Sequence, residues 1–186
     1  GFPRTPLFFN RLTIFRNTKM TKRTVLTWPD KRLRRAANDV RIFDDAMLST
    51  LDDMYDTLCC EKGAGLAAPQ IDILQRIVMI NCNSFKSRSP VPWERDQNIW
   101  ILVNPKIVSF SDEKIKWVEA CLSVPEMQGE VIRHRQITVT HKGIDMSDHE
   151  FTVGWPLSGV VQHEYDHLAG ILYLDRLRDK HDKTKV

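Results

Sequence analysis

Apolar and polar positions repeat with two different periods along this chain, dividing it into a helix, a run of strands and a second helix. Asp44 and Asp45 open the first helix, where Leu48, Leu51, Met54, Tyr55 and Leu58 form one apolar stripe that ends before Gly63. Residues 63–70 are small and glycine-rich, and the β-branched run at 76–80 reads as a buried strand. Residues 83–98, with Pro90 and Pro92, read as a polar loop. Strands are expected at 99–103 and 106–110 around an Asn104-Pro105 break, then at 116–122, through Val131-Ile132, and at 136–141 and 150–153. The turns between them fall at Val124-Pro125 and 143–147. Helical spacing returns behind Pro156 with Leu157, Val160, Val161, Tyr165 and Leu168, and Gly170 is a natural stop. Strands bunched together rather than alternating with helices predict an α+β fold, with largely antiparallel β-sheets packed around the C-terminal helix and a long N-terminal helix.

A chain of 186 residues is long enough for one hydrophobic core without disulfides. We expect a single domain over residues 20–178, an extension outside the fold at 1–19, and a polar tail at 179–186. The extension carries Arg4, Arg11, Arg16 and Lys19 and no acid, and precedes Met20. Its readings are an organellar transit segment, vector-derived sequence or an upstream start, and its low serine content favours the last two. The formal net charge of +3 is spread among acids. Without an arginine-rich helix or zinc-finger spacing, specific nucleic-acid reading is not expected, and no apolar run reaches membrane-spanning length. Cys59, Cys60, Cys82 and Cys121 follow no framework spacing and read as buried, reduced thiols.

The chemistry concentrates in the second helix. His163 and His167 stand four positions apart with Glu164 beside the first, so both imidazoles project from one helix face and can grip one metal ion while the carboxylate handles protons. The alternative is a pair of ordinary surface or core histidines. A catalytic metal takes three protein ligands and keeps a position for water. Position 173 is Tyr and no Glu follows Glu164, so the third ligand should lie upstream. Candidates are Cys121, His134, His141 and His149; spacing leaves Cys121 evenly balanced between ligand and small buried hydrophobe.

Three stretches together resemble peptide deformylase. Gly63-Ala64-Gly65-Leu66-Ala67-Ala68-Pro69-Gln70 matches the family's first motif, Glu119-Ala120-Cys121-Leu122-Ser123 its second at four of five positions, and Gln162-His163-Glu164-Tyr165-Asp166-His167 its third. The likeness runs from about Val25 to Leu177. It implies removal of the formyl group from the initiator methionine of nascent proteins, near the ribosome exit, in a bacterial cytoplasm or an organelle. It also implies Cys121, His163 and His167 as metal ligands, with Fe²⁺ the first choice in cells and Zn²⁺, Ni²⁺ or Co²⁺ able to replace it. Thiolate and imidazole donors suit such borderline ions and not Mg²⁺ or Ca²⁺. By the same resemblance an activated water attacks the formyl carbon, Glu164 acts as general acid/base, and the Gln70 amide and Leu122 N–H hold the developing oxyanion. Glu119 is expected to brace the site.

Gly63 and Gly65 leave room for a peptide to approach as an added strand, and Leu66, Val160 and the His163 helix face are expected to line a methionine pocket. Two positions depart from the family. Ala120 replaces a glycine and is strained if its φ is positive, while Gly159 replaces a larger residue and is expected to widen the pocket. Competing functions are a zinc endopeptidase, which lacks its downstream ligand here, and a metal-bearing binding domain without turnover.

Overall fold

The computed structural model describes residues 21–85, 98–177 and the backbone of 184–185; the 1–19 extension, most of the 83–98 loop and the rest of the tail lie outside the described residues. Helix α1, Asp45–Glu61, starts where the Asp44 carboxylate accepts a hydrogen bond from the Met47 N–H at 3.0 Å. It ends at Lys62, in the left-handed region with φ 54°. Its stripe is rotated slightly from the expected one: Met47, Leu51, Met54 and Leu58 are buried, whereas Leu48 and Tyr55 are half-buried. Burying each such side chain contributes about 1.5–3 kcal/mol.

Strands β1 (Gly65–Ala67), β2 (Ile77–Asn81), β3 (Ile99–Phe110), β6 (Gln136–Lys142) and β7 (Asp148–Gly154) form a five-stranded antiparallel sheet in the order β1-β2-β3-β6-β7. Alternation along β2 and β3 sends Ile77, Met79, Ile99 and Ile101 to the α1 side and Val78, Ile80, Trp100 and Leu102 to the opposite side. Both faces are covered, which is why these strands read as continuous apolar runs. The expected break at Asn104-Pro105 is a bulge within the single strand β3: Asn104, at φ 50°, leaves the ladder and its side-chain amide pairs with Val40 N and O, each at 2.8 Å.

Helix α2, Leu157–His167, covers the second face. On its other side lies a three-stranded sheet of β4 (Lys114–Cys121), β5 (Val124–His134) and β8 (Thr184–Lys185), in the order β4-β5-β8. The turn expected at Val124-Pro125 falls instead at Leu122-Ser123, and Val124 already pairs with Cys121. Past α2, Gly170 has φ +70° and a Cβ there would run into the Arg34 carbonyl, so only glycine fits. The chain then returns Tyr173 under the helix, with its ring stacked on His163 at 6.2 Å. Among the described residues no helix is long and apolar enough to cross a membrane.

Candidate active site

The site forms where the end of β4, the face of α2 and the edge of β1 converge. A register shift in the β4–β5 hairpin takes the pairing from Ala120–Gln128 directly to Cys121–Val124, ending β4 against α2. There Cys121 meets His163 and His167, one potential ligand atom from each lying within 4.8 Å of the others. Cys121 Sγ is 3.3 Å from His167 Nε2, and the two imidazoles stand edge to face with centroids 5.1 Å apart. His134 and His141 use their Nδ1 atoms on backbone carbonyls, of Ser111 and Lys142, and His149 stacks on His141; none joins this cluster.

Glu119 is buried beneath the donors. Its Oε2 contacts His163 Nδ1 at 2.7 Å, which leaves Nε2 of that ring for a ligand. Arg133 grips both Glu119 oxygens, at 2.7 and 2.9 Å, and donates a third bond of 2.7 Å to Asp166 Oδ2. Asp166 also accepts from Arg176 at 2.6 Å. Burial alone would raise the Glu119 carboxyl, but His163 and Arg133 outweigh it and hold the group well below the ordinary range. Burial would likewise lower His163, yet Cys121 and Glu119 raise it, so this spot attracts either a proton or a cation. His167 is held well below its ordinary value, by burial first and then by His163, and keeps its lone pair. A thiolate and two imidazoles, one oriented by a buried carboxylate, fit a single borderline divalent ion.

Glu164 lies alongside, only 4% exposed, and its Oε2 has no hydrogen-bond partner among the described residues. Burial pushes its carboxyl up to about 7, where it can both take and return a proton near neutrality. Gly65 makes room for it: a Cβ there would sit 2.6 Å from Glu164 Oε1 and 2.7 Å from its Cγ. Gly65→Ala should therefore displace the carboxylate and lower kcat/KM by about 10²-fold. Metal content should be unchanged; wild-type rates in this variant would show that Glu164 is not held by Gly65. Gly63 faces the Leu122 side chain in the same way, with a Cβ position 3.0 Å from Leu122 Cδ1.

Gln70 is 1% exposed in the 3-10 turn Ala68–Ile71. Its Oε1 accepts from the Ala67 N–H at 2.8 Å, which orients Nε2 toward Ser123 Oγ at 3.1 Å and Cys121 Sγ at 3.7 Å. Above these groups opens a cleft of about 630 Å³ whose lining includes Gly63, Gly65, Trp117, Ala120, Leu122 and Val160.

Several sequence expectations change. Leu66 does not line the cleft: since Gly65 and Ala67 face α2, alternation turns Leu66 to the α1 core, where it is fully buried. Gly159 is also absent from the lining, and the space above it is filled by the Trp155 indole, 2.7 Å from where a Cβ would be. Ala120 lies in extended β4 and is not among the positive-φ residues, so its methyl is unstrained and exposed. Cys59 and Cys60 are exposed at the end of α1 rather than buried, whereas the Cys82 thiol is buried and pushed up to about 12. Arg133 was not singled out from sequence. Its neighbour Val131 carried the signal, since residues two apart share a strand face and both are buried while Ile132 is 44% exposed.

Fold and site together define an α+β enzyme whose cleft ends on a Cys-His-His donor set and a buried carboxyl with one oxygen unpartnered among the described residues, the equipment of a hydrolase. A model of the polypeptide deformylase family matches residues 22–183. A peptide deformylase of Thermomicrobium roseum is 38% identical over 166 residues, covering 87% of this chain and 89% of that one. Crystals of the Plasmodium falciparum peptide deformylase give a structure similar at TM-score 0.76 and 34% identity, over 84% of this chain and 87% of that one. A Met-Ala-Ser-bound peptide deformylase of Acinetobacter baumannii is similar at TM-score 0.75 and 28% identity, over 86% of this chain and all of that one. The chain belongs to the peptide deformylase family of enzymes.

Proposed function

We propose that this enzyme hydrolyses the N-formyl group of formylmethionine on newly made proteins, using one divalent ion held by Cys121, His163 and His167. The observation that carries this reading is Glu164, a buried carboxyl with one oxygen unpartnered among the described residues, beside the three donors at the foot of the cleft. A peptide substrate is supported by the sheet edges: among the described residues β1 and β4 each end a sheet, and both line the cleft, so an extended chain can lie along them as an added strand. An ion held by Cys121, His163 and His167 would supply Lewis acidity, enough to let a water lose its proton near neutral pH. Glu164 takes that proton and returns it to the departing amine nitrogen. Gln70 Nε2 and the Leu122 N–H donate to the formyl oxygen as it gains charge. Among borderline ions the family resemblance favours Fe²⁺, with Zn²⁺, Ni²⁺ or Co²⁺ as functional substitutes. Nascent chains near the ribosome exit, in a bacterial cytoplasm or an organelle, are the expected setting.

Formate release from formyl-Met-Ala-Ser tests the activity. It should appear in protein loaded with Fe²⁺ without oxygen, vanish with a chelator and return with the ion. In Cys121→Ser, metal affinity should fall by more than the roughly 10- to 100-fold typical of changes outside the ligand set. Unchanged affinity would refute this donor set, and no formate from the metal-loaded wild type would refute the activity.

A further inference from the structure

Gly159 and two tryptophans shape the cleft in a way the proposed deformylase mechanism does not use, and the argument here rests on that reading. Without a Cβ on Gly159, the Trp155 ring lies against α2, with Cζ3 and Cη2 at 2.7 and 3.2 Å from the Cβ position. Trp155 then packs edge to face on Trp117, with ring centroids 4.7 Å apart at 87°. Trp117 is pinned a second time by its Nε1–H, which donates to Glu119 Oε1 at 3.1 Å. Its backbone is fixed opposite Val131 in the β4–β5 ladder. Trp117, unlike Trp155, lines the cleft, together with Val160 and His163.

We infer that Trp117, propped by Trp155 in the space left by Gly159, is a specificity-determining wall for the methionyl side chain. Glu119 bonds both Trp117 and His163, so the indole stands one carboxylate away from the metal donors. A formyl carbon placed over the donors leaves its own residue's side chain to extend along this wall. An unbranched thioether suits it: sulfur is polarizable and gains from contact with an aromatic ring, while a branched side chain meets the Trp117 ring, which Trp155 and Glu119 hold in place. Gly159 therefore does not widen the pocket but admits the prop that narrows it.

The test compares formyl-Met-Ala-Ser with formyl-norleucine-Ala-Ser, which exchanges the sulfur for a methylene at equal length. The wild type should favour methionine by roughly three- to tenfold in kcat/KM. Trp117→Leu should bring the ratio to one or below, whereas Trp117→Phe, keeping a ring but losing the bond to Glu119, should preserve the preference. Met-Ala-Ser should quench tryptophan fluorescence in the wild type and not in Trp117→Leu. Should Trp117→Leu fail to fold, Gly159→Ala serves instead: forcing Trp155 away should raise KM more than it lowers kcat and reduce the ratio. A ratio unaltered in Trp117→Leu, or in Gly159→Ala if that variant is the one tested, overturns the inference. Absence of turnover on both peptides in the wild type overturns the deformylase reading instead.

Discussion

Glu164→Gln is expected to lower kcat/KM for formyl-Met-Ala-Ser by about 10²- to 10⁴-fold, the usual contribution of a positioned acid/base, with metal content unchanged. The substitution preserves shape and removes only the ability to accept and return a proton. Position supports the size of the effect: the carboxyl is 4% exposed, Oε2 is unpartnered among the described residues, and Gly65 leaves it the space it occupies. Burial pushes it up to about 7. A divalent cation beside it acts in the opposite direction, favouring the ionised form. As a base it must be ionised, so the rate rises with pH through its pKa, placing the acid limb of kcat/KM at or below about pH 7. That limb should be missing in Glu164→Gln. A variant within threefold of wild type would exclude Glu164 as the proton carrier.

The second large effect is on stability. Arg133→Met should cost about 3–5 kcal/mol, because among the described residues it leaves the buried Glu119 without its only cationic side chain beside His163 and leaves Asp166 with Arg176 alone, rather than merely removing an attraction. At roughly 2–4 °C per kcal/mol for a chain of this size, the midpoint of thermal unfolding should drop by about 10 °C. All three side chains are nearly inaccessible, at 4%, 1% and 6% for Arg133, Glu119 and Asp166. Since Glu119 also orients His163, metal affinity should fall by about 10- to 100-fold. The pH sign follows from the depressed Glu119 carboxyl: its contribution is complete above the unfolded value of about 4.3 and is lost as pH falls through the lower folded value. Arg135→Met is the control, its partner Glu113 lying on an exposed surface, and should change little. Equal unfolding midpoints for the two variants would show that the buried network does not hold the site.

How much of this was legible depended on sequence separation. His163, Glu164 and His167 could be read because they lie about one helical turn apart, in a geometry set by hydrogen bonds along the chain. Cys121 is 46 positions from His167, and spacing alone did not choose it over His134, His141 and His149; the family resemblance did. Leu66 was misplaced by reading hydrophobicity without the strand period: once Gly65 faces Glu164, its neighbour must face α1. Arg133 was passed over because a charge is ordinarily solvated, and only two carboxylates arriving from β4 and α2 make its burial tolerable. Gly159 looked like empty space because the ring that fills it lies four residues earlier and outside the helix, and no periodic pattern shows how Trp155 folds back.

By itself the sequence determined the α+β order of elements and the pair of imidazoles on one helix face, which follow from periodicity along the chain, while Cys121 joined the candidate donors through the family resemblance. The tertiary structure decided which donors meet, which carboxylate braces and which is left free, and what fills the space over Gly159. Those outcomes depend on the register of β4 against β5 and on α2 being held between two sheets. Strand register is fixed by side chains from distant segments packing together, so a pattern confined to neighbouring residues does not contain it.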